Sequence, residues 1–198
     1  MHRTACTVAV LIPLLLSSSA LALEPDEARE ISSIRHRCFL ECVWADEHCQ
    51  SWESGDCTDK REACTKTCTA EEPLAQARAW EAPADWGQTK EQAIEVCLPQ
   101  GERAFLADLR CADGSTPTFE RSGSVGSRNP IPAGAGFDLS MMDPTVPVPE
   151  GQPDTHTVDL YVVQCPDGDH ELYLDMYHCG TPKPWVAPAG FTRPPRDE

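Results

Sequence analysis

The residues best placed to do chemistry are two histidines and two aspartates, His156-x-x-Asp159 and Asp175-x-x-His178, mirrored about the turn Pro166-Asp167-Gly168. Treated as a three-residue loop, that turn sets Cys165 opposite Asp169, Tyr161 opposite Tyr173, Asp159 opposite Asp175 and His156 opposite His178. The histidines then share one face, near enough to bind one metal ion, while the aspartates lie on the other face. Two imidazoles fall short of the three or four protein ligands of a stable zinc site. No metal ligand and no cofactor is therefore assigned, and the pair is read as the rim of an apolar face. Catalytic residues are likewise assigned to none. The chain contains no G-x-S-x-G, H-E-x-x-H, P-loop or G-x-G-x-x-G signature. The Asp167-Gly168-Asp169 turn lacks the alternating ligands of a calcium loop.

Cysteine carries the strongest pattern. Six of the eleven cysteines form a palindrome, C-x3-C-x6-C-x7-C-x6-C-x3-C, between Cys38 and Cys68, so that 38/68, 42/64 and 49/57 share the midpoint Glu53. Within each arm the cysteines fall on one face of a 3.6-residue period. Both arms are therefore predicted as helices, stapled antiparallel by nested disulfides. A zinc reading of the paired C-x3-C units is weaker, because the symmetry and an exported context favour bridges. The motifs Cys38-Phe39-Leu40-Glu41-Cys42 and Cys64-Thr65-Lys66-Thr67-Cys68 resemble the twin C-x3-C helical hairpins of small chaperones of the mitochondrial intermembrane space. The extra pair Cys49/Cys57, the wider spacer and the leader depart from that family, and the likeness is one of geometry.

Export is read from the start of the chain. A short basic segment around Arg3 precedes the apolar run Val8–Leu16, and Ala20-Leu21-Ala22 supplies small residues for cleavage after Ala22. The run is below the roughly 18 residues a membrane-spanning helix needs, so no stable membrane anchor is expected after cleavage. Residues 1–22 are thus a signal peptide, and the product is secreted or periplasmic. Cys6 leaves with it, which keeps ten cysteines and implies five bridges. Losing Arg3 takes the formal charge from −16 to −17. So acidic a chain without a basic stripe excludes nucleic acid as a partner and disfavours anionic membrane surfaces.

Residues 23–69 form the cysteine-rich helical hairpin, opened by Pro25, Asp26 and Glu27, which suit a helix N-terminus. Ser54-Gly55-Asp56 is the turn between its arms. The return arm has almost no apolar residue besides its cysteines and Ala63, so the bridges must hold it. Residues 70–88 read as a linker or short helix ending near Pro83, with Trp80 and Trp86 docking on the next module or stacking on a ligand.

Residues 89–191 form that module, a disulfide-bonded β unit. Phe105–Cys111 and Leu160–Cys165 each end in cysteine and a glycine turn, and both read as β-hairpins. The second presents Val158, Leu160, Val162, Leu172, Leu174 and Met176 to the core. Hairpins laid side by side pair Cys111 with Cys165 and Cys97 with Cys179; the rival pairs Cys97 with Cys111 and Cys165 with Cys179. Residues 127–155, rich in proline and glycine, read as a flexible loop whose apolar cluster Phe137, Leu139, Met141 and Met142 is a partner site. Trp185 and Phe191 anchor an extended proline-rich stretch, and 192–198 are a tail.

The fold class is α+β: an N-terminal disulfide-stapled helical hairpin, then a small antiparallel β module of two hairpins with a long Pro/Gly-rich loop. The functional expectation is an exported, non-enzymatic disulfide-rich protein that binds a protein, a peptide or an envelope component. The alternative is an exported enzyme or metal-dependent protein using His156 and His178.

Overall fold

The structure, a computed structural model, describes residues 24–52, 57–134, 143–149 and 151–194. The signal peptide, the Ser54-Gly55-Asp56 turn, the Phe137/Leu139/Met141/Met142 cluster and the last four residues of the tail lie outside the described residues.

Helix α1 (Pro25–Trp52) opens with acids in its first turn, where they meet the positive end of the helix dipole. Helix α2 (Cys57–Thr67) runs back along it and buries no residue of its own fully. Three bridges join the two: Cys38–Cys68, Cys42–Cys64 and Cys49–Cys57, with Cα separations of 5.5, 5.7 and 5.8 Å. The cysteines of α1 are buried in this seam, and a rung at each step compensates for the missing apolar stripe of α2. Helix α3 (Glu71–Ala79) comes next in the chain, packing Leu74 and Ala77 against Ile34 of α1.

The rest of the chain builds a four-stranded mixed sheet. Strand β1 (Ile94–Glu95) leads into helix α4 (Leu98–Ala107), then β2 (Arg110–Cys111), β3 (Thr118–Ser127), β4 (Thr157–Cys165), β5 (Gly168–Asp175) and β6 (Phe191–Thr192). The sheet order is β1-β5-β4-β3, with β1 parallel to β5 and the other neighbours antiparallel. Strands β2 and β6 form a separate antiparallel ribbon. Helix α4 lies on the sheet, and Phe105, Leu106 and Leu109 meet Ile94, Val96, Tyr161, Val163, Leu172 and Leu174 in the main core.

Three details differ from the sequence-based expectation. Phe105–Leu109 is the end of a helix and its exit, because Leu98, Glu102, Phe105, Leu106 and Leu109 are buried at helical spacing. Strand order is mixed, since β1 adds parallel to β5. And the β4–β5 loop has two residues, so Cys165 opposes Gly168, Tyr161 opposes Leu172 and Asp159 opposes Leu174. Gly168 takes φ +140, a conformation that favours glycine and lets the strand begin there. That one-residue slip exchanges faces on β4: Asp159, Tyr161 and Val163 are buried with Leu172 and Leu174, whereas Leu160 and Val162 are partly exposed.

Cys97–Cys179 and Cys111–Cys165 are bonded, with Cα separations of 4.5 and 5.7 Å. They close through the β1–α4 junction and the β2–β6 ribbon, not through two hairpins side by side. Cys97 forms an isolated antiparallel bridge with Tyr177, which brings Cys179 within reach.

Candidate functional site

Beyond Asp175, the end of β5, the chain pairs with the segment after β1: Val96 N–H donates to Asp175 O at 2.9 Å and His178 N–H to Val96 O at 3.1 Å. The Asp175 carboxylate accepts the Tyr177 N–H at 3.1 Å, a side-chain turn that folds His178 back over it. Asp154 does the same before β4, accepting the His156 N–H at 3.0 Å. Two aspartate side-chain turns at adjacent strand ends therefore converge.

The result is a compact cluster. His178 Nε2 lies 3.0 Å from Asp154 Oδ2 and 3.1 Å from Asp175 Oδ2. His156 Nδ1 lies 2.9 Å from Asp154 Oδ1 and 3.9 Å from Asp175 Oδ2. Although close to Asp154, it lacks the alignment of a hydrogen bond and has no partner that meets one. The imidazoles meet edge to face at 5.1 Å, and Tyr177 stacks on His156 at 5.3 Å. The two histidines do meet, as the sequence suggests, but Asp175 joins them and Asp159 does not. Asp159 is taken instead by Arg121, in two hydrogen bonds of 2.6 and 2.7 Å, and by Ser124 at 2.8 Å. Asp154 is the member that the mirrored motif does not contain; its signal is an aspartate two residues before a histidine at a strand start.

Cations surround the cluster. Arg128 Nη1 reaches Glu95 at 2.7 Å, Asp154 at 3.2 Å and Asp175 at 3.6 Å, and Lys183 pairs with Glu95. Burial opposes charge on His178, but its hydrogen bonds to Asp154 and Asp175 outweigh that and lift it to about 9. Burial also opposes charge on Asp154, yet contact with both histidines holds it well below the usual carboxylate range. Burial brings Lys183 down to about 8, against the pull of Glu41.

Glu95, Arg128 and Lys183 face a groove of about 270 Å³ on the outer side of this cluster. Its walls are Trp80, Trp86 and Trp185, with prolines 73, 83, 182 and 184 between them. Trp80 and Trp86 meet edge-on at 4.9 Å, and Trp185 meets Phe105 edge-on at 5.4 Å. Arg37 and Arg193 lie over the Trp185 ring at 4.5 and 4.9 Å, which fixes that wall. The buried Trp86 indole N–H has no acceptor among the described residues. A second cavity of about 350 Å³, on the side of α2, is lined by Tyr177, His178, Asp143 and Lys60.

A third polar group sits within the core: Tyr161 donates to the buried Glu102 at 2.9 Å. Among the described residues no helix is long and apolar enough to cross a membrane. Comparison with known protein families, with curated proteins and with solved structures finds no match to this chain.

Proposed function

We propose that this chain is an exported, non-enzymatic binding protein whose tryptophan groove takes an extended, proline-containing peptide segment of a partner. The observation that carries the reading is the convergence of Trp80, Trp86 and Trp185 with four prolines on one groove. Aromatic-lined grooves suit extended proline-bearing segments, because flat rings pack against pyrrolidine faces and such segments lose little entropy on binding. One wall is itself an extended proline-bearing stretch: the chain's own Thr181-Pro182-Lys183-Pro184-Trp185 runs there without helix or strand and packs Trp185 on Phe105. Five disulfides suit an oxidising compartment, and secretion or residence in a periplasm is the location proposed.

Selection of displayed random peptides on the disulfide-intact protein tests the reading. Enriched peptides should carry proline and an apolar anchor, and Trp80→Ala should weaken them about tenfold or more, as loss of an aromatic interface anchor does. Trp80 is 36% exposed, so its removal spares the core. Absence of enrichment, or binders indifferent to Trp80→Ala, would contradict it.

A further inference from the structure

The geometry points to a divalent transition-metal site, of the kind zinc occupies, formed by Asp154, His156, Asp175 and His178. This is distinct from the groove and independent of any ligand bound there.

Each of the four residues offers one ligand atom, and all four atoms lie within 4.8 Å of one another. In a tetrahedral site with metal–ligand bonds of about 2.0–2.1 Å, ligand atoms stand about 3.3 Å apart. His178 Nε2 stands 3.0 Å from Asp154 Oδ2 and 3.1 Å from Asp175 Oδ2, and His156 Nδ1 stands 3.9 Å from Asp175 Oδ2, separations that bracket that value; the 2.9 Å contact of His156 is to the other Asp154 oxygen, Oδ1. Two imidazoles and two carboxylates are a donor set that suits zinc and its first-row neighbours.

A second observation points the same way. The side chain of His156 is 3% exposed, and its Nδ1, 2.9 Å from Asp154 Oδ1 and 3.9 Å from Asp175 Oδ2, meets hydrogen-bond geometry with no partner among the described residues. A buried ring nitrogen left so is costly unless something ligates it. The ligands are also held in place from outside. Asp154 and Asp175 each accept a backbone N–H, and Tyr177 stacks on the His156 ring. Such outer contacts orient metal ligands before the ion arrives.

Charge and access agree. With His178 as the neutral ring, Glu95, Asp154 and Asp175 oppose the cations Arg128 and Lys183, which leaves one negative charge for a further cation to meet. Arg128 makes its shortest contact with Glu95, at 2.7 Å, and so keeps a carboxylate of its own when a metal takes Asp154 and Asp175. The cavity beside α2 opens onto His178 and gives an ion its path. His178 ligates as the neutral ring, its proton passing to solvent.

Zinc titration of the full exported protein, stripped with chelator and with disulfides intact, tests the site. Wild type should take up one equivalent with submicromolar Kd, and His156→Ala should weaken it by about 100-fold, as loss of one of four ligands does. His170→Ala, which alters the exposed His170–Asp167 pair, should bind as wild type does. Cobalt added to wild type should give the intense visible bands of tetrahedral coordination, a readout that needs no variant to fold. No stoichiometric uptake, uptake unchanged by His156→Ala, or a cobalt spectrum without tetrahedral intensity would each overturn the proposal.

Discussion

Glu102 shows how a single side chain sets pH behaviour. It lies on the buried face of α4 with Tyr161 donating to it. Burial pushes its carboxyl up to about 7, with the Asp159 charge adding to that and the Tyr161 bond, Arg121 and Arg103 opposing it. The folded protein therefore binds a proton here more tightly than the unfolded chain. The stability this gives is complete below the unfolded value and is lost as pH rises through about 7. Roughly 3 kcal/mol is at stake, from a rise of about 2.5 on the pH scale at about 1.36 kcal/mol each. Denaturant unfolding between pH 5 and pH 8 should show wild type losing stability, whereas Glu102→Gln should remove that part of the slope and gain on wild type at pH 8. An unchanged slope in the variant would place the titration elsewhere. The glutamate itself is plain in the sequence, but its burial is not, because that depends on α4 lying across the sheet. His156 and His178 meet as the mirrored spacing suggests, but not by the register it implies, since the two-residue loop sets Asp159 against Leu174. Their aspartates are not legible, because side-chain turns at Asp154 and Asp175 override strand alternation at the strand ends.

At the scale of elements, the stapled hairpin is the most legible part. A palindrome of cysteines with helical phase leaves one arrangement of two antiparallel helices, and the three nested bridges result from it. Its dependence on those bridges is testable, since α2 has no fully buried residue and isolated helices of its length are marginal. Replacing Cys42 and Cys64 together with alanine removes a cross-link worth roughly 2–4 kcal/mol. Hydrogen exchange should then show the amides of Cys57–Thr67 losing protection by about tenfold or more while β4 and β5 keep theirs. Equal protection in α2 would refute the stapling argument. The β elements are less legible. Phe105–Leu109 looks strand-like in a short window, and its helical period appears only when Leu98 and Glu102 are counted. The β4–β5 hairpin is visible in Pro166-Asp167-Gly168, but a loop of two residues in place of three turns the other face of β4 to the core while β5 keeps Leu172 and Leu174 buried.

The whole molecule is tied together more closely than a division into hairpin, linker and β module implies. Gly180 takes φ +70 where the chain crosses the hairpin, and a Cβ there would stand 2.2 Å from Cys64 Sγ. Its N–H donates to the buried Glu41 of α1 at 3.0 Å, Lys60 of α2 reaches Asp143 at 2.8 Å, and Ala45 and Trp44 pack on Cys97 and Leu98. Helix α3 and the Thr181–Val186 stretch, read from the sequence as a linker or short helix and as an extended proline-rich stretch, both line the tryptophan groove beside Ile94 and Glu95 of β1. Trp80 and Trp86 stand out in the sequence as residues that dock on the next module or stack on a ligand, but nothing local joins Trp185 to them, and only the fold brings the three to one surface. The measurement that bears most directly on its role is the indole 1H–15N NMR spectrum, recorded as a selected proline-containing peptide is added to the native protein. The Trp80, Trp86 and Trp185 resonances should move and saturate together while Trp44, packed at the α1–α4 contact, stays in place. Saturable peptide binding that leaves those three indoles unmoved would contradict a peptide-binding role for the groove.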